Sequence, residues 1–230
     1  MNERVELAVC VAHPDDECLI AGAWMSGCVA EGHRVEVFIA TAGEGASHPT
    51  LSAAALGQQR LHESKVALGM LGVSQPSSPR LPDGKLSEFE SELKDALEAW
   101  LSEHRPKQVV TYGLDGGYGH VDHVAVTKAL IEINRANRFE LHQAVFAEHT
   151  FVDLRRFLKR SSPELLSSEA LEVKAPPPTL ILRDPGLLMK KRAALEKYES
   201  QLQERSVDAF LGTKAMTHIL DYEQFAPLTG

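Results

Sequence analysis

Three segments within the first forty residues restrict the fold more than any other feature of the chain. Val5 to Ala12 (VELAVCVA) is a short, valine-rich apolar run, the pattern of a buried strand. Ala21 to Ala30 carries Trp24, Met25, Cys28 and Val29 at helical spacing, and Gly32 offers a stop. Arg34 to Ala40 (RVEVFIA) is a second strand-like run. Strand, helix and strand this close together form a βαβ unit, and such units build a parallel sheet with helices on its faces.

The remaining pattern continues the alternation as far as about residue 150. Thr41 to Thr50 is a polar loop, and Ser52 to Leu71 is an amphipathic helix with Leu56, Leu61, Val66, Leu68 and Leu71. Pro76 to Gly84 is a loop. Ser87 to His104 predicts a helix, with Ser87 as its cap and Glu90 completing a capping box. Gln108 to Tyr112 predicts a third strand, Gly113 to Gly119 a glycine loop, Val121 to Ala136 a helix and Ala144 to Ala147 a fourth strand. Beyond 150 the signals weaken. A short helix is expected over Phe151 to Lys159, and Ser161 to Ser168 is loop-like. Pro176-Pro177-Pro178 restricts Leu171 to Leu182 to an edge strand, and a helix capped by Asp184 runs from Pro185 to about Glu204. The expected architecture is one α/β domain over 1–230. Residues 1–150 form a Rossmann-like core with a mostly parallel sheet, and 151–230 a C-terminal elaboration shaping the pocket.

Composition narrows the partners. With 230 residues, 43% hydrophobic and 24% charged, the chain can bury a large core without disulfide or metal staples. Its net charge of −8 opposes binding to a phosphate backbone, so nucleic acid is not expected. No apolar stretch approaches the ~20 residues of a membrane span, and Met1-Asn2-Glu3-Arg4 has no secretory pattern. Three cysteines without a C-x-x-C argue against a disulfide framework and a thiolate zinc site. A cytoplasmic location is expected.

The chemistry lies at two strand ends. His13-Pro14-Asp15-Asp16-Glu17 follows the first strand directly. A dinucleotide-binding fold would carry G-x-G-x-x-G there, and ligands of open α/β sheets bind in that crevice. A histidine and three carboxylates with no basic neighbour would repel phosphate and attract a cation. Pro14 keeps His13 extended, so His13 and Asp16 can face one point across a tight turn while Asp15 projects elsewhere. The second constellation, Gly116-Gly117-Tyr118-Gly119-His120-Val121-Asp122-His123, lies between the third strand and a helix. His120 and His123 share a face one turn apart. Asp122 suits either a carboxylate behind a ligand or a cap. His13, Asp16 and His123 together make two histidines and a carboxylate with an open position, the ligand count of a catalytic zinc site. Asp15 and His120 are then the spare acid/base groups that hydrolysis needs.

At these residues the chain resembles the PIG-L/LmbE-like family of metal-dependent N-acetylglucosaminyl deacetylases. Ala12 to Glu17 resembles its A-H-P-D-D-E, and His120 to His123 its H-x-D-H after G-G-Y-G. Thr41-Ala42-Gly43-Glu44, Arg60 with Glu63, Leu81-Pro82-Asp83-Gly84, and Lys191 through Gln201 resemble further family patterns in the same order. The resemblance implies zinc, or alternatively ferrous iron, on His13, Asp16 and His123. It implies Asp15 as general base and His120 as oxyanion stabiliser or general acid, protonated in the expected mechanism. It implies Arg60, Asp83 and Tyr118 as contacts to a small N-acetylated amino-sugar substrate. Glu17, directly after the first ligands, suits either a partner of His13 or a helix cap. Homo-oligomerisation is left open. The alternatives are an amidase acting on a thiol conjugate or another N-acyl amino sugar, an inactive sugar-binding homologue, and a nucleotide-binding Rossmann protein.

Overall fold

The computed structural model describes residues 4–136, 138–147, 149–211 and 218–229, so Met1 to Glu3 lie outside it. The elements are, in order, β1 (Val5–Val11), α1 (Asp16–Ala30), β2 (Arg34–Ile39), α2 (Ala53–Leu71), α3 (Glu90–His104) and β3 (Gln108–Thr111). A single turn, α4 (Gly116–Gly119), leads into α5 (Val121–Ile133) and β4 (Glu140–Ala144). The rest comprises α6 (Val152–Ser161), β5 (Leu180–Leu182), α7 (Pro185–Leu195), α8 (Glu199–Leu202), α9 (Val207–Leu211) and β6 (Glu223–Pro227).

The strands form one sheet in the order β2-β1-β3-β4-β6-β5. The first four are parallel, β6 runs antiparallel to β4, and β5 antiparallel to β6. This is the mostly parallel α/β sheet that the βαβ pattern requires. Alternate residues of β1 serve opposite faces, as the twofold period of a strand demands. Leu7, Val9 and Val11 pack with Met25 of α1, Leu68 of α2 and Ala194 of α7. Ala8, Cys10 and Ala12 pack with Leu93 and Leu97 of α3 and Leu130 of α5. Both cores are needed because β1 is buried on both faces, which is why it reads as continuously apolar.

The chain leaves β1 toward β2 on one side and returns to β3 on the other. The crevice between the carboxyl ends of β1 and β3 is therefore the topological switch point, where such sheets bind ligands. Both chemical constellations emerge there. Among the described residues no helix is long and apolar enough to cross a membrane.

Several local expectations need correction. α1 begins at Asp16 rather than Ala21, because the helix is kinked at Ala21 (φ −140°, ψ 19°) and its first turn is polar. Ser87 caps nothing: Leu86–Glu88 is a 3-10 turn with Leu86 buried, and α3 starts at Glu90 after Phe89. The fourth strand is Glu140–Ala144, before the expected Ala144–Ala147; its register pairs Gln108 with Glu140 and Thr111 with Gln143. Polar residues at Glu140, His142 and Gln143 obscure it. The helix after Asp184 ends at Leu195 and resumes as α8, so it does not run to Glu204. β6, which the sequence pattern does not signal, lies between β4 and β5 and brings the C-terminal region into the main sheet. The expected edge strand over Leu171 to Leu182 is confined to β5 (Leu180–Leu182), after the prolines.

Candidate metal centre

The turn after β1 is held by Asp16, whose N–H donates to the His13 carbonyl (3.3 Å) and whose Oδ2 accepts the His13 N–H (2.9 Å). This brings His13 Nδ1 to 3.2 Å from Asp16 Oδ2. From the start of α5, His123 Nε2 lies 3.2 Å from the same oxygen and 3.2 Å from His13 Nδ1. Three donor atoms thus form an equilateral triangle. Zinc bonds of ~2.0–2.1 Å in a tetrahedron imply ligand edges of about 3.3 Å. The spacing of these three donors matches that of zinc ligands. His120 also offers a ring nitrogen within 4.8 Å of donors on His13 and His123.

The atoms behind the triangle hold it in place. His123 Nδ1 donates to the Gly116 carbonyl at 3.0 Å, which leaves Nε2 free as the ligating nitrogen. Tyr112 stacks flat on the His123 ring at 4.0 Å and donates its hydroxyl to Asp16 Oδ1 at 2.8 Å. Tyr112 carries no motif in the sequence. Only its position directly after β3, at the strand end beside the His13 loop, could have signalled it. On the far side of His13, Nε2 faces Asp83 Oδ1 (3.0 Å) and Asp122 Oδ2 (3.3 Å). Asp122 also accepts the Gly84 and Leu86 N–H groups (2.7 and 3.0 Å), so it ties the loop before α3 to α5. It therefore stands as a carboxylate behind His13. Burial opposes charge on His13, yet Asp83, with Asp122 and Asp16, raises its pKa well above the ordinary range. Burial also opposes the Asp16 carboxylate, which His123 and His13 nevertheless hold well below its usual pKa. A divalent cation would displace the proton on His13 Nδ1 and keep the same favourable surroundings.

Asp15 stands apart from the triangle. Its backbone is left-handed (φ 110°, ψ −31°), a conformation that favours glycine. Its Oδ2 accepts from Arg60 Nη2 at 3.2 Å, and about a quarter of its side chain remains exposed. Burial of the remainder pushes its carboxyl up to about 7; Arg60 opposes this, while Asp16 and Glu17 reinforce it. A carboxylate of that proton affinity is suited to a general base near neutral pH.

His120 is the N-cap of α5, and its Nδ1 accepts the Asp122 N–H at 3.2 Å. Burial, together with His13 and His123, holds its pKa well below the ordinary histidine value. This differs from the protonated His120 of the expected mechanism. With Nδ1 already accepting, the ring is neutral and carries its proton on Nε2. Tyr118 is set edge-on to the rings of His120 (5.7 Å) and His123 (5.3 Å).

Arg60 and Asp83 are held by groups of the chain itself. Arg60 is buried, and its Nη1 and Nη2 donate to the carbonyls of Gly43 (2.8 Å) and Pro14 (2.7 Å). A Cβ on Gly43, at φ +68°, would lie 2.2 Å from Arg60 Nη1, so only glycine admits the guanidinium. Asp83 Oδ2 accepts the Gly45 N–H at 2.9 Å, which leaves that carboxylate fully engaged by His13 and the 43–45 loop. Glu17 does not touch His13. Its carboxylate accepts the Asp15 N–H (2.9 Å), the Ser64 hydroxyl (2.6 Å) and the Tyr198 hydroxyl. Leu166 and Ser167 run beside the second loop: Leu166 bridges His120, and the Ser167 N–H donates to the Gly119 carbonyl at 2.8 Å. Arg155 of α6 donates to the Gly117 carbonyl at 2.8 Å.

Comparison with known proteins bears on this geometry. A deacetylase of Mycobacterium leprae (strain Br4923), named for 1D-myo-inositol 2-acetamido-2-deoxy-alpha-D-glucopyranoside, is 36% identical over 148 residues, 54% of this chain and 48% of that protein. The chain spans about half the length of the curated relatives it matches. Among solved structures, the N,N'-diacetylchitobiose deacetylase of Pyrococcus horikoshii superposes with a TM-score of 0.67 at 20% identity, over 97% of this chain and 84% of that one. The zinc-inhibited form of a teicoplanin deacetylase superposes with a TM-score of 0.66 at 17% identity, over 97% and 98%. At such identities these two likenesses carry the fold alone. The model of the PIG-L family, described as GlcNAc-PI de-N-acetylase, matches residues 8–134, more than half of the chain and the stretch that holds both chemical loops. On that match, the chain belongs to the PIG-L family.

Proposed function

We propose that this chain is a metal-dependent N-deacetylase that removes the acetyl group from an N-acetylglucosamine-type amino-sugar conjugate. The observation that carries the reading is the 3.2 Å triangle of His13 Nδ1, Asp16 Oδ2 and His123 Nε2, with Asp15 and His120 beside it. The family membership and the names of the relatives point to the same class of substrate.

His13, Asp16 and His123 would hold the cation, zinc or ferrous iron. When bound, it supplies Lewis-acid activation of water and of the acetamide carbonyl. The remaining steps belong to the chain. Asp15 takes the proton from the attacking water, which its raised proton affinity favours. The neutral His120 ring donates its Nε2–H to the oxyanion of the tetrahedral intermediate, and its Nδ1 is fixed by the Asp122 N–H. Asp15 then returns its proton to the departing amine as the C–N bond breaks, giving acetate and the free amino sugar. Tyr118, edge-on to both histidines, would lie against the bound substrate.

The test is a deacetylation screen over N-acetylglucosamine conjugates, with and without chelator, alongside the metal content of the protein. The wild-type chain is expected to bind a divalent ion and to lose activity on chelation. His123→Ala is expected to lose metal and activity together. Unchanged acetate release from fully stripped protein would overturn the reading.

A further inference from the structure

The family match ends at residue 134, yet the base-bearing loop is completed by a residue 181 positions from its partner. Glu17 is wholly buried, and its carboxylate has three donors. Ser64 of α2 donates its hydroxyl at 2.6 Å, and Tyr198, in the turn between α7 and α8, donates its phenol to the same oxygen, Oε1. The other oxygen, Oε2, accepts the N–H of Asp15 at 2.9 Å. That N–H belongs to the residue with φ 110°, a backbone state that an aspartate does not adopt unaided. Arg60 grips the same loop through the Pro14 carbonyl and the Asp15 carboxylate.

Tyr198 is itself anchored. Two residues on, Ser200 donates its N–H (2.9 Å) and hydroxyl (2.6 Å) to Glu63, which neighbours Ser64 on α2. The phenol is buried, so it cannot swing to solvent when Glu17 is occupied elsewhere.

We propose that Tyr198 is a positioning residue for Asp15, acting through Glu17: the C-terminal third of the chain holds the base in its strained, productive conformation. The inference rests on the reading of Asp15 as general base. It assigns a purpose to the turn between α7 and α8 that helix packing alone does not. Packing needs a buried ring there, and phenylalanine would supply it. Only the hydroxyl reaches Glu17.

Tyr198→Phe removes that hydroxyl and keeps the ring; Ser64→Ala removes the second donor and guards against a folding defect in the first variant. Two readouts apply to both. In metal-loaded protein, kcat per bound metal is expected to fall about 10–100-fold, the range found for groups that orient reacting residues, with KM and metal content within about twofold. In the amide spectrum of 15N-labelled protein, the Asp15 N–H resonance is expected to shift in both variants, while the Gly117 N–H, which donates to Asp115 at 3.0 Å, stays in place. A merely structural tyrosine would lower thermal stability and metal content and leave both kcat per metal and the Asp15 amide unchanged, and that result overturns the proposal. A loss of kcat with an unmoved Asp15 amide overturns it as well. If the wild-type chain hydrolyses no conjugate, the deacetylase reading fails by itself, and the Asp15 amide still decides whether Tyr198 acts on that residue.

Discussion

Asp15→Asn is expected to reduce kcat/KM by about 10²–10⁴-fold, the range for loss of a general base, while leaving metal content unchanged. The substitution is nearly isosteric. The Asn carbonyl can still accept from Arg60 Nη2, the 3.2 Å contact that orients the wild-type side chain. The backbone also tolerates it, because asparagine enters left-handed conformations more readily than most residues. What is lost is the ability to take a proton. Metal binding does not depend on it, since the triangle of His13, Asp16 and His123 contains no Asp15 atom. Stability should not fall either: burial and the neighbouring Asp16 and Glu17 disfavour the Asp15 charge, which the substitution removes. Turnover, metal analysis and thermal midpoint on one preparation separate these terms. Activity within about tenfold of wild type would show that Asp15 is not the base. Loss of metal in parallel would show that the loop had moved instead.

The sheet and its two chemical loops were legible because each depends on local pattern. The valine run of β1, the spacing of Trp24, Met25 and Cys28, and the run of β2 dictate a βαβ unit wherever they occur. The topology then places whatever follows β1 and β3 at the switch point. The resemblance to family motifs added residue roles that pattern alone does not assign. Contacts that depend on long-range geometry were not legible in this way. Arg60 and Asp83 stand in motifs that suggest sugar contacts, but nothing in the sequence says that Gly43 leaves room for a guanidinium to turn inward. Likewise, no local signal says that His13 Nε2 draws Asp83 onto itself. His120 invites a cationic role by residue type. Its proton affinity is set instead by burial and two neighbouring histidines, and its tautomer by one backbone N–H. β6 was missed for a similar reason: it is five residues long, holds Glu223 and Gln224, and is a strand only because β4 and β5 flank it.

Lys191→Met is expected to destabilise the fold by about 3–5 kcal/mol, the usual result of removing one partner of a buried ion pair. Lys191 Nζ lies 3.0 Å from Glu223 Oε1, and each side chain is only 1% exposed. The carboxylate has further work. It accepts the N–H groups of Ala23 (2.8 Å) and Trp24 (2.9 Å), which follow the kink of α1 at Ala21. Glu223 thus serves where helical carbonyls are out of line, and Lys191 neutralises it. Gly22 lets α7 approach closely enough, since a Cβ there would lie 2.9 Å from Lys191 Cγ. In Lys191→Met the carboxylate keeps its two amide donors but loses its counter-charge in a fully buried site. At roughly 2–4 °C per kcal/mol for a chain of this size, the thermal midpoint should fall by about 6–20 °C. Glu223→Gln alone leaves an unpaired buried ammonium and should cost a similar amount. The double variant removes both desolvated charges, and the amide oxygen that Glu223→Gln retains can still accept one of the α1 N–H groups, so much of the lost stability should return. A double-mutant cycle by urea denaturation measures this. Additive losses would mean that the two charges act independently.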